Sequence, residues 1–240
     1  MKQIFADSPV SLDSTYTLNP AQAHHIFDVL RTGSKETVRV IWEDEVFLAH
    51  PEEKPNLYIF GKEEVEEPSM DITLAVALYK ASNFEWMLQK AAELGVSRIV
   101  PFVSQNTIVR IDPSKVEKKL ARWASILEAA CNQSNRASYV ALEPIQTIES
   151  LQEYKSKANL VAYENEKENY LANELADFPE SITVVLGPEG GFVPEEIETL
   201  ESSGFTPVSL GDRILRAETA AMYVLSAIDY QSHLPKEPDA

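Results

Sequence analysis

The chain has 240 residues, of which 44% are hydrophobic, so it can bury a sizeable core as one large domain or two modest ones. Its formal net charge of −17 repels phosphate backbones at long range, which argues against sequence-independent binding of nucleic acid and requires a local basic patch for any such partner. No apolar run approaches the ~20 residues that span a bilayer, and the four histidines and Cys131 offer neither metal-ligand spacing nor an internal disulfide.

The first ten residues, MKQIFADSPV, lack the long apolar region of a secretory signal, which together with the single cysteine favours a cytoplasmic protein. Strands are predicted where β-branched and aromatic residues concentrate, at 15–18, 37–42, 46–49 and 57–60. Asn19-Pro20 predicts the start of a helix that ends near Leu30. These elements predict a small β-rich domain, and the acidic stretch 61–69 predicts a linker after it.

From residue 71 the pattern becomes that of an α/β domain. The continuous apolar run 72–78 is typical of a strand buried on both faces of a parallel sheet. A helix capped by Ser82 or Asn83 and ended by Gly95 follows it, and a long helix is predicted from 113–114 to about 135. Further strands are predicted, mostly with helices between them, at 97–103, 139–142, 159–163, 182–186 and 205–210. This alternation predicts a mostly parallel sheet.

Two glycine-containing stretches follow predicted strands, LGPEGGF at 186–192 and SLGDRILRAETAAM at 209–222. Ligands of open α/β sheets bind at the carboxyl ends of strands. Phosphate fits poorly, because neither G-x-x-x-x-G-K-[ST] nor G-x-G-x-x-G is present and Glu189 would repel an anion. S-adenosylmethionine (SAM) fits better, since glycines admit a flat purine and acidic neighbours tolerate its sulfonium. Two ordinary tight turns without a ligand remain the alternative, and composition alone favours them.

The two stretches, taken together, resemble motifs of the RsmE family of 16S ribosomal RNA (uracil-N3) methyltransferases, which belongs to the SPOUT class. Further segments resemble that family at 24–31 (HH…VLR), 85–96 (EWMLQKAAELGV) and 129–136 (AACNQSNR). The resemblance implies a PUA-like, RNA-binding β-barrel over residues 1–66. It implies a SPOUT methyltransferase domain with a C-terminal trefoil knot over residues 70–240. It also implies SAM as cofactor, 16S rRNA of the small ribosomal subunit as substrate, and a homodimer. The residues themselves predict no membrane partner and no metal.

The family places the methyl donor in a pocket made by three loops. In this sequence the resemblance implies that the cofactor contacts Tyr163, Leu186, Gly187, Pro188, Glu189, Gly190, Gly191, Leu210, Gly211, Ile214, Leu215, Thr219 and Ala220, with Glu164 beside Tyr163 as a further candidate. Uracil N3 carries a proton at neutral pH, so an arginine could stabilise the uracil anion while a carboxylate or water accepts the proton. Arg216 and Glu218 are the first candidates for these roles, although they could simply form a local ion pair. Arg136 and Gln133 are the second.

One basic helix face stands out in this acidic chain. Lys115, Lys118, Lys119 and Arg122 fall at i, i+3, i+4 and i+7, so we expect them on one side of a helix, where they could contact RNA phosphates. A face that is merely solvated is the alternative interpretation. The remaining candidate RNA contacts are Arg31, His25, Lys80 and Gln133. Asn106, by contrast, stands where the family commonly has an arginine.

Three other functions compete with N3 methylation of uridine. Another SPOUT methyltransferase, acting on a ribose hydroxyl or a different base, would have a similar pocket. A non-catalytic RNA-binding or ribosome assembly protein could retain the fold without binding the methyl donor. A nucleotide-dependent dehydrogenase is disfavoured, because the dinucleotide-binding fingerprint is missing.

Overall fold

The computed structural model describes residues 2–65 and 70–234. Its contacts divide the chain into two compact units. The first unit comprises Met1–Glu67 together with Glu128–Tyr139, and the second comprises Pro68–Leu127 together with Val140–Ala240. The first unit thus includes a short segment that lies far along the chain from the rest of it.

The first unit is built on a five-stranded sheet of β1 (Lys2–Phe5), β2 (Ser14–Thr17), β3 (Val38–Trp42), β4 (Glu45–Pro51) and β5 (Asn56–Glu63). The strand order is β1-β3-β4-β5-β2, in which β1 runs parallel to β3 and the other pairs are antiparallel. The predicted β-rich character is confirmed, and β1 is an additional strand. The predicted linker begins too early, because β5 extends into it, and residues 66–69 lie outside the described residues.

A short helix, α1 (Pro20–Ala23), connects β2 to β3 and continues as a π-helical segment, His24–Val29. The Asn19 side-chain oxygen accepts a 2.9 Å hydrogen bond from the Gln22 amide, and the Gln22 side chain accepts one from the Asn19 amide. This reciprocal cap explains why the helix begins where Asn19-Pro20 predicts it. Ile26 then enters a core with Val38, Val40 and Leu57.

The second unit contains a seven-stranded sheet of β6 (Asp71–Ala77), β7 (Arg98–Val103), β8 (Ala141–Leu142), β9 (Gln146–Thr147), β10 (Ala158–Ala162), β11 (Ser181–Leu186) and β12 (Thr206–Val208). The order is β12-β10-β11-β6-β7-β8, with β9 also pairing with β7, and these pairs are parallel. The molecule is therefore an α/β protein with one mixed and one parallel sheet. Strands β6 and β11 are almost wholly buried, as their apolar runs predict.

The α-helices of the described chain beyond α1 are α2 (Ala81–Glu93), α3 (Val116–Gln133), α4 (Leu171–Glu174), α5 (Pro194–Ser202) and α6 (Ala217–Ser232). Short 3₁₀-helical turns lie at Pro113–Lys115 and Glu149–Tyr154. The predicted cap of α2 at Ser82 or Asn83 is wrong, since the helix already begins after Lys80 and has no side-chain cap. Gly95 follows the end of α2 with a φ of +88°, a left-handed conformation that favours glycine and ends the helix as predicted. The predicted strands at 139–142 and 205–210 are shorter than expected, because only β8 and β12 form within them.

Within the described ranges, no helix combines the length and the apolar composition needed to cross a membrane. The same residues contain no cluster of three or more His, Cys, Asp or Glu side chains arranged to hold a metal ion.

Candidate active site

A cavity of ≈590 Å³ opens in the second unit, at the carboxyl ends of β10, β11 and β12. These three strands are adjacent and parallel, so the loops that leave them meet at one edge of the sheet. Each loop contributes one wall, and Asn83 near the start of α2 adds a further side chain. The sheet order thus brings together segments that are distant in sequence.

The glycine loop, residues 187–192, forms the wall that follows β11. Its backbone turns back on itself through a 3.0 Å hydrogen bond from the Gly191 amide to the Pro188 carbonyl. A Cβ atom at Gly187 would lie 2.9 Å from the Phe192 ring, and one at Gly191, where φ is +70°, would collide with the Glu164 carboxylate. The positive φ favours glycine at 191, and the Phe192 ring would have to shift to admit a side chain at 187.

The wall that follows β12 is anchored by backbone hydrogen bonds to the neighbouring segments. The Ser209 amide donates to the Asn169 carbonyl at 2.7 Å, and the Tyr163 amide donates to the Val208 carbonyl at 3.0 Å. Beyond Gly211, whose φ is +109°, the chain reaches α6. Ile214 lies on this wall with 90% of its surface exposed, an apolar side chain that a ligand could cover.

Glu218 lies in the first turn of α6 and lines the cavity. It accepts a 2.9 Å hydrogen bond from the Asn83 side-chain amide. Across the part of the chain that the structure describes, Arg216 and Glu218 form no salt bridge, so the local ion pair considered above is not what orients Glu218. Arg216 itself is exposed and also lines the cavity.

Tyr79 lies two residues beyond β6 and is 1% exposed. Its ring packs against Phe84 with centroids 5.3 Å apart, and its hydroxyl has no hydrogen-bond partner among the described residues. Burial, and then the negative charges of Glu218 and Glu189, raise the pKa of this phenol far above its ordinary value. Tyr79 is therefore a neutral phenol whose hydroxyl is buried.

Most of the predicted cofactor contacts line this one cavity, and Thr219 is the exception. The lining includes Tyr163, Glu164, Leu186, Gly187, Pro188, Glu189, Gly190, Gly191, Leu210, Gly211, Ile214, Leu215 and Ala220. It also includes residues that were not predicted to contact the cofactor, namely Asn83, Ala162, Lys167, Phe192, Ser209, Asp212, Arg213 and Ala217. Ala162 ends β10 and Ser209 directly follows β12, so the strand-end rule could have found these two. Asn83 carries no such signal.

Four predicted residues belong to the first unit. Gln133 ends α3, and Arg136 follows it. The Arg136 carbonyl accepts a 2.7 Å hydrogen bond from the Gln3 side chain, and burial lowers the pKa of the Arg136 guanidinium. His25 lies in the π-helical segment and Arg31 just beyond it, and both are exposed.

The predicted basic face is formed in the second unit by α3 and the helical turn before it, but its four cations differ in their surroundings. Arg122 makes two hydrogen bonds, of 2.7 and 2.8 Å, to the two Glu85 carboxylate oxygens. The Lys119 amino group lies 5.6 Å from the centroid of the Trp123 ring. Lys115 and Lys118 are exposed and, among the described residues, form no ion pair. Lys80, before α2, is also exposed.

The sequence and the fold of the chain are both similar to those of known RNA methyltransferases. The family model for an RNA methyltransferase domain matches residues 65–229. The chain is 30% identical to ribosomal RNA small subunit methyltransferase E of Bacillus subtilis, covering 92% of this chain and 91% of that protein. The enzyme of the same name from Neisseria gonorrhoeae, solved with bound S-adenosyl methionine, aligns with a TM-score of 0.86 at 27% identity, over 96% and 97% of the two chains.

A Legionella pneumophila protein solved in complex with the cofactor SAM aligns with a TM-score of 0.85 at 30% identity, over 95% and 96% of the two chains. The resemblance predicted from the motifs is confirmed by sequence and by structure. The chain belongs to the RNA methyltransferase family, with ribosomal RNA small subunit methyltransferase E among its relatives.

Proposed function

We propose that the protein is a SAM-dependent methyltransferase that methylates N3 of a specific uridine in the 16S rRNA of the small ribosomal subunit. The observation that carries this proposal is the cavity bounded by the loops that follow β10, β11 and β12. Its ≈590 Å³ falls within the ~300–1,000 Å³ typical of small-molecule sites, which suits a nucleoside-sized cofactor. Family membership, and the SAM bound in two similar structures, support SAM as the ligand.

The walls of the cavity have the chemistry that SAM requires. Leu186, Leu210 and Leu215 offer apolar surface for the adenine ring, and the glycine loop brings backbone polar groups close to it. Glu189 and Glu218 supply negative charge that tolerates a sulfonium centre. When bound, the cofactor supplies an electrophilic methyl group.

The residues of the chain would prepare the uracil. Its N3 atom must lose a proton in order to accept the methyl group. Glu218, held by Asn83, is our first candidate to accept this proton, directly or through a water molecule. Arg216 is our candidate to stabilise the negative charge that develops on the uracil oxygens. Arg136 and Gln133 are second candidates for contacts with the base.

The finer architecture is part of the same proposal. We expect residues 1–66 to act as a PUA-like RNA-binding barrel and residues 70–240 as a SPOUT domain with a trefoil knot. The mixed five-stranded sheet supports the first expectation, and the convergence of three strand-end loops on one cavity supports the second. A homodimer is also proposed, for which α6 offers exposed Tyr223 and Tyr230. A ribosomal substrate is consistent with action in the cytoplasm.

The proposal is tested by incubating the purified protein with SAM and small ribosomal subunits from a strain that lacks the protein. Mass spectrometry of the digested rRNA should then show one new N3-methyluridine. A methyl group on a ribose oxygen or on another base would instead identify a different RNA methyltransferase. If calorimetry detects no SAM binding and no methyl group is transferred, a non-catalytic RNA-binding or ribosome assembly protein becomes the better interpretation.

A further inference from the structure

The turn that follows β7, residues 104–107, lies directly against the glycine loop. The turn is closed by two hydrogen bonds, from the Thr107 amide to the Ser104 carbonyl at 3.0 Å and from the Ser104 amide to the Thr107 hydroxyl at 2.9 Å. It is therefore a defined element from which a side chain can hold a neighbouring segment in place.

Glu196 in α5 fixes this turn to the segment that follows the glycine loop. One of its carboxylate oxygens accepts a hydrogen bond from the Gln105 amide at 2.7 Å. The other accepts one from the Ser104 hydroxyl at 3.2 Å and one from the Val193 amide at 3.1 Å. Because a carboxylate forms strong hydrogen bonds, it joins the two segments at the point where the loop enters α5.

Asn106 then reaches the loop itself. Its side-chain amide nitrogen donates hydrogen bonds to the carbonyl oxygens of Gly190 at 3.2 Å and Gly191 at 3.1 Å. A Cβ atom at Gly190 would lie only 3.2 Å from the Asn106 Cβ, so the approach is close enough to favour glycine there. Asn106 is not among the residues that line the cavity. Any influence on a ligand must therefore pass through the loop.

This contact matters because glycine gives a loop conformational freedom. A glycine residue adopts positive and negative φ values with similar ease, so the peptide groups around Gly190 and Gly191 could rotate to other orientations. Two hydrogen bonds from one side chain select a single orientation of both carbonyls. The loop is then ordered before the ligand arrives, and less of the binding free energy is lost in ordering it.

We propose that Asn106 is a positioning residue for the methyl donor: it holds the Gly190 and Gly191 carbonyls so that the glycine loop is preformed for SAM. This inference rests on the proposed function, because it takes SAM as the ligand of the cavity. It assigns a part in cofactor affinity to Asn106, a position at which the family commonly has an arginine.

The test compares SAM binding by calorimetry, in the ligand-free protein, for the wild type and the variants Asn106→Ala, Asn106→Asp and Gln105→Ala. The first variant removes both hydrogen bonds, and the second keeps the volume but places an acceptor against two carbonyl oxygens. Gln105→Ala is the matched control, because the Gln105 side chain is an exposed amide in the same turn and, among the described residues, forms no hydrogen bond.

We expect the dissociation constant for SAM to rise about tenfold in Asn106→Ala and further in Asn106→Asp, and to stay unchanged in Gln105→Ala. In the methylation assay, the KM for SAM should rise in Asn106→Ala while kcat at saturating SAM stays the same. A residue with a merely structural role would instead lower the thermal midpoint without this separation. If Asn106→Ala unfolds, Asn106→Asp provides the decisive comparison.

The possible failures are distinguishable. If the wild type binds SAM and both Asn106 variants bind it with the same affinity, the inference is overturned and the proposed function is intact. If the wild-type protein binds no SAM, the proposed function fails, and this inference fails with it. Equal weakening by Gln105→Ala would also overturn the inference, because the effect would then belong to the turn rather than to Asn106.

Discussion

The Asn83 side-chain amide donates a 2.9 Å hydrogen bond to Glu218 Oε1, which joins the start of α2 to the first turn of α6 across 135 residues of sequence. Both residues line the cavity. Because the bond occupies one carboxylate oxygen and fixes the side chain, the other oxygen has a defined direction. This arrangement suits a group that must accept a proton from a bound base.

Replacing Asn83 by alanine should therefore lower kcat. We expect Asn83→Ala to reduce kcat about tenfold or more, since Glu218 would lose the partner that orients it, while SAM binding changes little. Gln89→Ala is a matched control, because Gln89 is an exposed amide on the same helix. The measurement is methyl transfer to small ribosomal subunits at saturating SAM. Unchanged turnover in Asn83→Ala would show that this contact does not serve catalysis.

Removing the Arg216 side chain should stop turnover without removing the cofactor. Loss of a group that stabilises developing negative charge commonly costs about 10²–10³ in kcat, so Arg216→Ala should fall by at least this factor. Calorimetry should show that SAM still binds with nearly wild-type affinity. Activity retained by this variant on ribosomal subunits would exclude the catalytic role proposed for Arg216.

Charge reversal on the basic face should weaken RNA binding. The suitable positions are Lys115 and Lys118, because Arg122 is already held by Glu85 and its reversal would also break that pair. We expect the double variant Lys115→Glu, Lys118→Glu to bind small ribosomal subunits with lower affinity. The slope of log K against the logarithm of salt concentration should become shallower by ~1 or more. Each single reversal, Lys115→Glu or Lys118→Glu, is compared with Lys157→Glu, which makes the same change in net charge at an exposed lysine elsewhere in the second unit. An unchanged slope would show that these lysines do not contact RNA phosphates and that the basic face is merely solvated.

Tyr79→Phe should be neutral or stabilising. The Tyr79 hydroxyl is buried without a partner among the described residues, so its removal should leave the free energy of unfolding unchanged or raise it by up to ~1 kcal/mol. Tyr16→Phe is the matched comparison. The Tyr16 hydroxyl donates to Asp7 Oδ1 at 2.8 Å and accepts from the Asp7 amide at 3.0 Å, so its loss should cost ~1 kcal/mol. Denaturant unfolding measures both. Marked destabilisation by Tyr79→Phe would contradict this account.

The elements that could be predicted from the sequence are those with a strong local pattern. Strands β6 and β11 are continuous apolar runs, and α1 carries its own cap in Asn19-Pro20, so periodicity and capping rules were sufficient. Strand β1 was missed because four residues, KQIF, give too little pattern, and it pairs with a strand more than thirty residues away. The start of α2 was misjudged, because local cap chemistry suggested Asn83 as a cap whereas its side chain bonds to Glu218.

The same division applies to the site. The glycine-containing loops could be predicted because they follow strands, and parallel strands end at one edge. Asn83 could not be predicted, because its place in the cavity depends on how α2 packs against α6. The contact between Asn106 and the glycine loop is likewise set by the sheet order, in which β6 separates β7 from β11.

Strand β10 precedes β11 and β12 in the chain yet lies between them in the sheet. The cavity therefore gains its last wall only with the residues from 209 to 220, which follow the other two walls in the chain. During synthesis, the ribosome must have translated residues 209–220 before the three walls can meet. A nascent chain that stops short of α6 would lack this wall, so premature termination there should remove the proposed cofactor site altogether rather than weaken it.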